Sequence, residues 1–530
     1  MKRIIVPVLL FGVTFGLFSQ ETLVSDTERY YDFLALRGLT ARPYLNYRTL
    51  SDSAWKIDEG TNHPWQDNKL FSRYTLHENI FLRLYGPELF TSFNTAFPYG
   101  QNDGALWQGK GFNMSVSAGV RFEGYGFELT FKPQFVFSQN LKFGIINSNY
   151  YDSPYGYVWG YHHNAGIDAP QRFGDRAFFE YDWGDSEIRY TWKTLTAGFG
   201  TQAIWLGPAY LNPILHSNNA PSYPKFDIGI RRQSVTIPWI DWYAGDIEAR
   251  LWIGRLSESD YFDNDPSNNL VMFHGLAMAY APSFLPGLTL SVNRVNMVPW
   301  TWGNLKHVIP SSENANEDQK ASFGLSYILP QAGFEVYGEF AVDDYFSGGI
   351  EGYLTYPIHA FVYYAGFKKT LDIVPRKKIY GEIIFEFNWF EMSQNFQFAW
   401  PYSFYFHYQM HGYTNRGQLL GNASSPGGNS QYLRFVLFYP KGNFSIFISR
   451  NNPDNNYVYK DAVNSITMLT AFKANCNFGM DASYFLLPSL KISAGCIYNY
   501  IINPYFGQQV VSGTDSRHNF SLIFGLNWTF

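Results

Sequence analysis

The chain closes on a segment that alternates without interruption. Phe520, Leu522, Phe524, Leu526, Trp528 and Phe530 share one face, and Asn519, Ser521, Ile523, Gly525, Asn527 and Thr529 share the other. Successive side chains of an extended strand point to opposite sides, so this is a strand with one broad apolar face. A wall between lipid and a wet lumen needs that pattern, because every second residue must be apolar and the rest need not be. A helix cannot use it: a period of two scatters the apolar residues around a turn of 3.6.

The alternation recurs. Phe112, Met114, Val116, Ala118, Val120 and Phe122 interleave with Asn113, Ser115, Ser117, Gly119, Arg121 and Glu123. After Gly124, Tyr125 and Gly126 the pattern resumes with Phe127, Leu129, Phe131, Pro133, Phe135 and Phe137, which predicts an antiparallel hairpin. Further hairpin turns are predicted at Pro282 to Gly287, Pro330 to Gly333, Leu371 to Pro375, Pro440 to Asn443 and Leu487 to Ser489. Weaker signals stand at Trp183 to Ser186 and near Asp241. With the closing strand and one before Phe97, these hairpins give about eighteen strands, an even count of the kind bacterial barrels show. Long irregular connections separate the hairpins, among them Gln139 to Gly166, Gln202 to Phe226, Trp400 to Gln431 and Asn503 to Arg517. Short turns on the periplasmic side and long loops outside explain that asymmetry. The fold expected is therefore all-β, a transmembrane antiparallel β-barrel.

Composition fits a wall with two faces. Aromatic residues make up 19% of the 530, yet the mean hydropathy is -0.21, so apolar side chains are finely interleaved with polar ones. Beyond the N-terminus no run of about 18 apolar residues exists, which excludes helical spans. A net charge of -5 without long basic runs argues against nucleic acid as a partner.

At the N-terminus Lys2 and Arg3 precede an apolar run from Ile4 to Phe18 and a cleavage-like Ser19 and Gln20, so residues 1–20 read as a signal peptide. Residues 21–72 read as a short helical periplasmic segment. Ser25 and Glu28 have capping-box spacing, Tyr30, Phe33, Leu34 and Arg37 follow at helical spacing, and Gly38 supplies a stop. The polar stretch from Thr40 to Phe71 reads as an extension or a plug, and the barrel takes 73–530. Lys368, Lys369, Arg376, Lys377 and Lys378 bracket one predicted periplasmic turn and are expected to snorkel to lipid phosphates.

Signals for chemistry are sparse. His162 and His163 have no partner at ligand spacing, and His407 and His411 lack a third ligand, so neither pair reads as a metal site. No nucleophile elbow is present, and Asp263/Asp265 and Asp343/Asp344 read as solvated loop ends. The reading is of a non-enzymatic protein without a cofactor. A hairpin centred near Pro488 puts Cys496 opposite Met480 and Cys476 opposite Tyr500, an offset of roughly four residues at about 3.4 Å each. That exceeds the reach of a disulfide, about 7 Å, so two free thiols are expected. The loops are more informative. Asn, Asp, Gly and Trp interleave from Asn102 to Gly111, and similar residues recur from Ile204 to Lys225. Aromatic faces stack on sugar rings while amides and carboxylates bind hydroxyls, so this composition suits a glycan surface. An interfacial aromatic girdle with ordinary turn residues accounts for it equally well.

Three long motifs favour the first of these readings. "NTAFPYGQNDGALWQGKG" runs to Gly111. "WLGPAYLNPILHSNNAPSYP" spans Trp205 to Pro224, preceded by "FGDRAFFEYDW" from Phe173. "HGYTNRGQLLGN" spans His411 to Asn422 and continues to "SPGGNS" at Ser425 to Ser430. Together they resemble the capsule-assembly Wzi family of outer-membrane proteins, with departures at Leu206, Asn415 and Asn422. The resemblance implies an eighteen-stranded barrel with a periplasmic helical part that helps occlude the lumen. It also implies a lectin-like role in holding capsular or other surface polysaccharide in the outer membrane of a diderm bacterium. The candidate polysaccharide-binding residues are the polar and aromatic members of the motifs: Asn102, Asp103, Trp107, Gln108, Lys110, Trp205, Asn218, Asn219, Tyr413, Arg416 and Gln418. Other partners expected are outer-membrane lipid and the barrel-assembly machinery, whose C-terminal signal the closing strand and Phe530 resemble. The protein is expected to be a monomer. A channel for small solutes or saccharides is the alternative.

Overall fold

The computed structural model describes residues 26–49, 55–58, 60–160, 166–308, 317–343, 351, 354–355, 361–391, 404–407, 410–424, 426–462, 471–508 and 517–530. Residues 1–20, read above as a signal peptide, and Ser25, His162 and His163 lie outside these residues. The wall is one closed antiparallel sheet whose first long strand, Ile80–Asn94, pairs with its last, His518–Trp528. Eighteen strand positions make it up. Two of them are broken into halves, Phe127–Phe131 with Gln134–Ser138 and Phe178–Asp182 with Glu187–Trp192. The short strand Tyr74–His77 is an extra arm bonded to the first strand.

The two faces sort as the alternation requires. On the closing strand Phe520 and Trp528 are exposed toward lipid, while Asn519, Ser521 and Ile523 are buried inside. On Gly111–Gly124, Phe112 and Phe122 face out and Asn113, Ser115 and Arg121 face in. Cys476 pairs with Tyr500 and Cys496 with Met480, and both thiols are free.

Two turns differ from expectation. Trp183 to Ser186 is no hairpin but the break in a split strand, where Gly184 N–H donates to Asp182 Oδ1 at 2.7 Å. The chain runs on to a reversal at Lys193 and Thr194, between the paired Trp192 and Leu195. Lys193 holds φ +57 there without the glycine that normally marks such a turn. The turn placed at Leu371 to Pro375 lies a few residues later: the strand continues to Val374, and Pro375–Lys377 turns the chain with Lys378 at φ +55. Pro330–Ala332 followed by Gly333 at φ +56 is the same device with glycine in place.

The N-terminal segment fills the short-turn end of the lumen. The helix Asp26–Leu36 buries Tyr30 and Phe33 against Phe438 of the wall. It ends where Gly38 turns left-handed, with Leu39 N–H donating to Leu34 O at 2.9 Å. Trp65 stacks on Tyr30 at 3.9 Å and donates its indole N–H to Gly442 O at 3.0 Å. Arg42 grips both oxygens of Glu335 at 2.7 Å and reaches Asp32, which also binds Lys368 at 2.6 Å. Lys368 thus faces the lumen and clamps the helix; it does not snorkel, because its register on Phe361–Val374 points inward.

Segments from opposite ends meet at mid-lumen. Tyr47–Thr49 pairs antiparallel with Ile204–Leu206, part of the long loop between the strands Leu195–Gly200 and Lys225–Ile237. Glu248 accepts the backbone N–H groups of Leu45, Asn46 and Tyr47, and Glu386 accepts those of Tyr210, Leu211 and Asn212. Inward-pointing wall carboxylates therefore satisfy the backbone donors that the loop and the plug bring into the barrel, as buried donors require.

Candidate functional site

The three sequence motifs, far apart in the chain, converge. Asn102, at φ +64, donates its backbone N–H to Asn219 Oδ1 at 2.6 Å and its side-chain amide to Leu211 O. Gly104 N–H donates to Asn218 O at 2.8 Å, and the Asn218 amide returns to Asn102 O at 3.3 Å. The Asn219 amide reaches Ser217 Oγ and Gly421 O, and Ser217 N–H bonds Leu420 O. Tyr413, wholly buried, stacks on Tyr405 and donates its hydroxyl to Leu215 O at 2.8 Å. Trp205 is 1% exposed and donates its indole N–H to Ala209 O. The arrangement brings Asn102, Asn218, Asn219, Tyr413 and Trp205 into one internal scaffold whose polar atoms mostly bond to one another and to backbone.

The remaining candidates lie around it. Gln108 is buried, accepting Ser92 Oγ–H at 2.6 Å and donating to Asp103 at the same distance. Trp107 is half-buried with its ring 5.1 Å from Phe173, and half-buried Lys110 is tied through its carbonyl to Leu141 N–H. Arg416 and Gly417, both at positive φ, form the two-residue turn of a small hairpin that pairs Asn415 with Gln418. Arg416 reaches out to Glu180 and Asp182 on the wall.

Above the scaffold, at the long-loop end, a cleft of about 330 Å³ opens between loops and wall. Its wall side is a set of amides and hydroxyls at inward positions of neighbouring strands: Ser449, Asn475, Asn477 and Asn499. They bond laterally, Asn477 to Ser449 Oγ at 2.9 Å and Asn499 to Asn477 Oδ1. Loop residues Phe97, Tyr99, Gln101, Phe143 and Tyr505 face them, with Tyr432 at the bottom stacked on Tyr210. Two cations line the cleft: Arg450, bonded to Asn429 and Gln431, and Lys473 from the loop before Ala474–Leu487, whose pKa burial lowers. Beside Lys473 the Asp454 carboxyl is pushed up to about 7 by burial, even though the Tyr157 hydroxyl donates to it.

Alternating amides give donors and acceptors in both directions, and aromatic faces border them, which is the chemistry of sugar recognition. None of the motif candidates lines this cleft. The residues that do were missed because an Asn two places from another on a strand, as in Asn475 and Asn477, is a weak signal until register and height are known. Among the described residues no cluster of His, Cys, Asp or Glu is placed to hold a metal ion.

The model of the family described as capsule assembly protein Wzi matches residues 98–499. Among solved structures, the Escherichia coli outer-membrane protein Wzi, described as a carbohydrate-binding β-barrel involved in group 1 capsule assembly, superposes with a TM-score of 0.55. It is 12% identical, over 84% of this chain and 85% of that one. Pseudomonas aeruginosa OccK8 (OprE) follows at a TM-score of 0.42 and 9% identity, over 85% of this chain and 98% of that one. Acinetobacter baumannii OccAB2 gives 0.39 and 11%, over 84% and 98%. No curated protein sequence matches the chain at a significant level. The family match spans most of the chain, from the first motif through the penultimate wall strand, and the protein is an outer-membrane β-barrel that belongs to the capsule assembly protein Wzi family.

Proposed function

We propose that the protein holds or helps assemble a surface polysaccharide at the outer face of the membrane, without catalysing a reaction on it. The observation that carries this reading is the cleft of laterally bonded asparagines faced by Tyr99, Tyr432 and Tyr505 at the long-loop end. Below it the lumen is occupied by the plug and the loop that meets it. A repeating polymer held by many copies of such a site needs only a weak contact at each. In this reading the motif residues Asn102, Asp103, Gln108, Trp205, Asn218, Asn219, Tyr413 and Gln418 brace the floor, and Trp107, Lys110 and Arg416 stand nearer the surface. Residues 1–20 direct export, 21–72 form the plug, and the barrel is inserted as a monomer.

The test is retention on cells. Replacing Asn475, Asn477 and Asn499 together by alanine releases polysaccharide into the medium while surface protein stays constant. Unchanged cell-bound polysaccharide in that variant overturns the cleft, and unchanged polysaccharide on complete deletion overturns the function. Planar-bilayer recording separates the channel reading: a large stable conductance from the intact protein would favour it.

A further inference from the structure

The wall has one sector without a ladder. Phe178–Asp182 is bonded to Gln134–Ser138 along one edge, and along the other edge no strand pairs with it among the described residues. The next hairpin is too short to reach it. Leu195–Gly200 ends with Gly200 opposite Glu187, and Lys225–Ile237 begins with Lys225 opposite Gly200. Beyond them Trp242–Ser257 climbs past Gly254, the partner of Lys225, to Ser257. Between these two free edges the crossing is made by loop residues. Arg416 N–H donates to Ser257 O at 2.7 Å and Ser257 N–H to Asn415 Oδ1 at 2.9 Å. On the opposite edge the Arg416 guanidinium binds both Glu180 and Asp182.

A cavity of about 650 Å³ lies over this seam, within the range of roughly 300–1,000 Å³ typical of small-molecule sites. Its rim is apolar and on the lipid side: Phe131, Tyr181, Trp183, Ile188 and Phe199 are all exposed, Ile188 to 61% and Phe199 to 60%. Arg255, also in the lining, is exposed at the long-loop end of its strand, and its guanidinium has no acidic partner among the described residues. An apolar trough in the membrane face with an uncompensated cation at its outer end complements one kind of neighbour, an acyl chain joined to an anionic head.

We infer that the seam between Phe178–Asp182 and Trp242–Ser257 is a lateral docking groove for an anionic, acylated glycolipid of the outer leaflet. Its acyl chain lies against Tyr181, Ile188 and Phe199, and its phosphate meets Arg255. The groove stands apart from the glycan cleft, which lies on the strands from Asn429 to Ile502, so it holds whether or not the cleft binds polysaccharide.

Native mass spectrometry of the full-length protein in detergent tests this, with a bisphosphorylated, acylated glucosamine disaccharide as probe and phosphatidylethanolamine and inorganic phosphate as comparators. One glycolipid is expected to stay bound. Arg255→Ala weakens it about tenfold, the factor that loss of one charge-assisted contact implies. Ile188→Ala with Phe199→Ala weakens it as well. Phe444→Ala, at an exposed position elsewhere on the wall, leaves binding unchanged, and heat-shifted gel mobility verifies that every variant is a folded barrel. Equal binding by wild type and both groove variants overturns the inference, as does equal retention of phosphatidylethanolamine. Binding of phosphate alone as tightly as the glycolipid overturns the acyl-chain part and with it the groove.

Discussion

The two ends of the lumen are built from different chemistry. At the short-turn end the contacts are ionic: Arg42, Glu335, Asp32 and Lys368 form one buried cluster between plug and wall. At the long-loop end the inward positions of the later strands carry neutral amides and hydroxyls, bonded mainly to each other. Charges in a buried clamp hold only when all partners are present, because a lone buried ion is costly. Neutral amides can exchange a neighbour for a sugar hydroxyl at little net cost, since the bonds lost and gained are alike. The first arrangement suits a fixed plug and the second a surface that exchanges partners, as the proposed glycan contact requires.

Breaking the clamp has the largest effect. Glu335→Ala leaves Arg42 and Lys368 sharing Asp32 as their ion-pair partner, with Glu382 the other carboxylate near Lys368, and removal of one partner from a buried pair typically costs about 3–5 kcal/mol. The wall keeps its ladder, so the expected outcome is a barrel that still shifts on heating in gels but whose plug opens, seen as new conductance in planar bilayers. A silent bilayer would show that the apolar packing of Tyr30, Phe33 and Trp65 alone retains the plug.

The next effect depends on pH and lies at the other end. Asp454 is held near 7 by burial, above the ordinary carboxylate range. A raised acid favours the protonated form in the folded state. Its contribution is therefore complete below about pH 4 and lost as pH rises through 7, by roughly 4 kcal/mol at most for a shift of this size. The helix Asn455–Ala462 that follows should show stronger hydrogen-exchange protection at pH 5 than at pH 8, and Asp454→Asn should flatten the difference. Equal protection in wild type at both values would place the carboxyl in contact with water.

Smaller still is the cleft variant. Each neutral hydrogen bond is worth about 1 kcal/mol, so alanine at Asn475, Asn477 and Asn499 weakens glycan contact by about fivefold per lost bond and leaves thermal unfolding close to that of wild type. Loss of barrel assembly in this variant would make the asparagines structural and return the glycan surface to the loops.

The wall was legible in the sequence because its rule is local. Lipid on one side forces a period of two, and the register that placed Cys476 opposite Tyr500 and Cys496 opposite Met480 needed only a hairpin centre near Pro488. Turns were legible where glycine or proline marked them and misread where lysine took the left-handed position, as at Lys193 and Lys378. Trp183 to Ser186 misled for the opposite reason: it has turn residues, but it breaks a strand beside the seam. The inward face of Lys368 was hidden because a charge at a turn looks the same in sequence whether it meets lipid phosphate or a carboxylate of the plug. The cleft was least legible. Its asparagines become a site only when neighbouring strands align at one height and loops close over them, and neither condition is written within any single segment.

The smallest expected effect discriminates between motif and cleft. Trp107 sits in the most aromatic-polar stretch of the first motif, yet it is half-buried against Phe173, and an aromatic pair of that kind contributes about 0.5–1.5 kcal/mol. Trp107→Ala should therefore loosen the Asn102 to Gly111 loop slightly and lower cell-bound polysaccharide less than the triple asparagine variant does. Measuring both variants at matched surface abundance makes the comparison direct. If Trp107→Ala strips the cells as fully as the triple variant, the ring itself contacts the polymer, and the binding surface extends from the cleft across the outer loops to the sector beside Phe173. If it leaves retention unchanged, the tryptophan belongs with Trp205 among the residues that hold loops in place, and the glycan surface contracts to the asparagine wall.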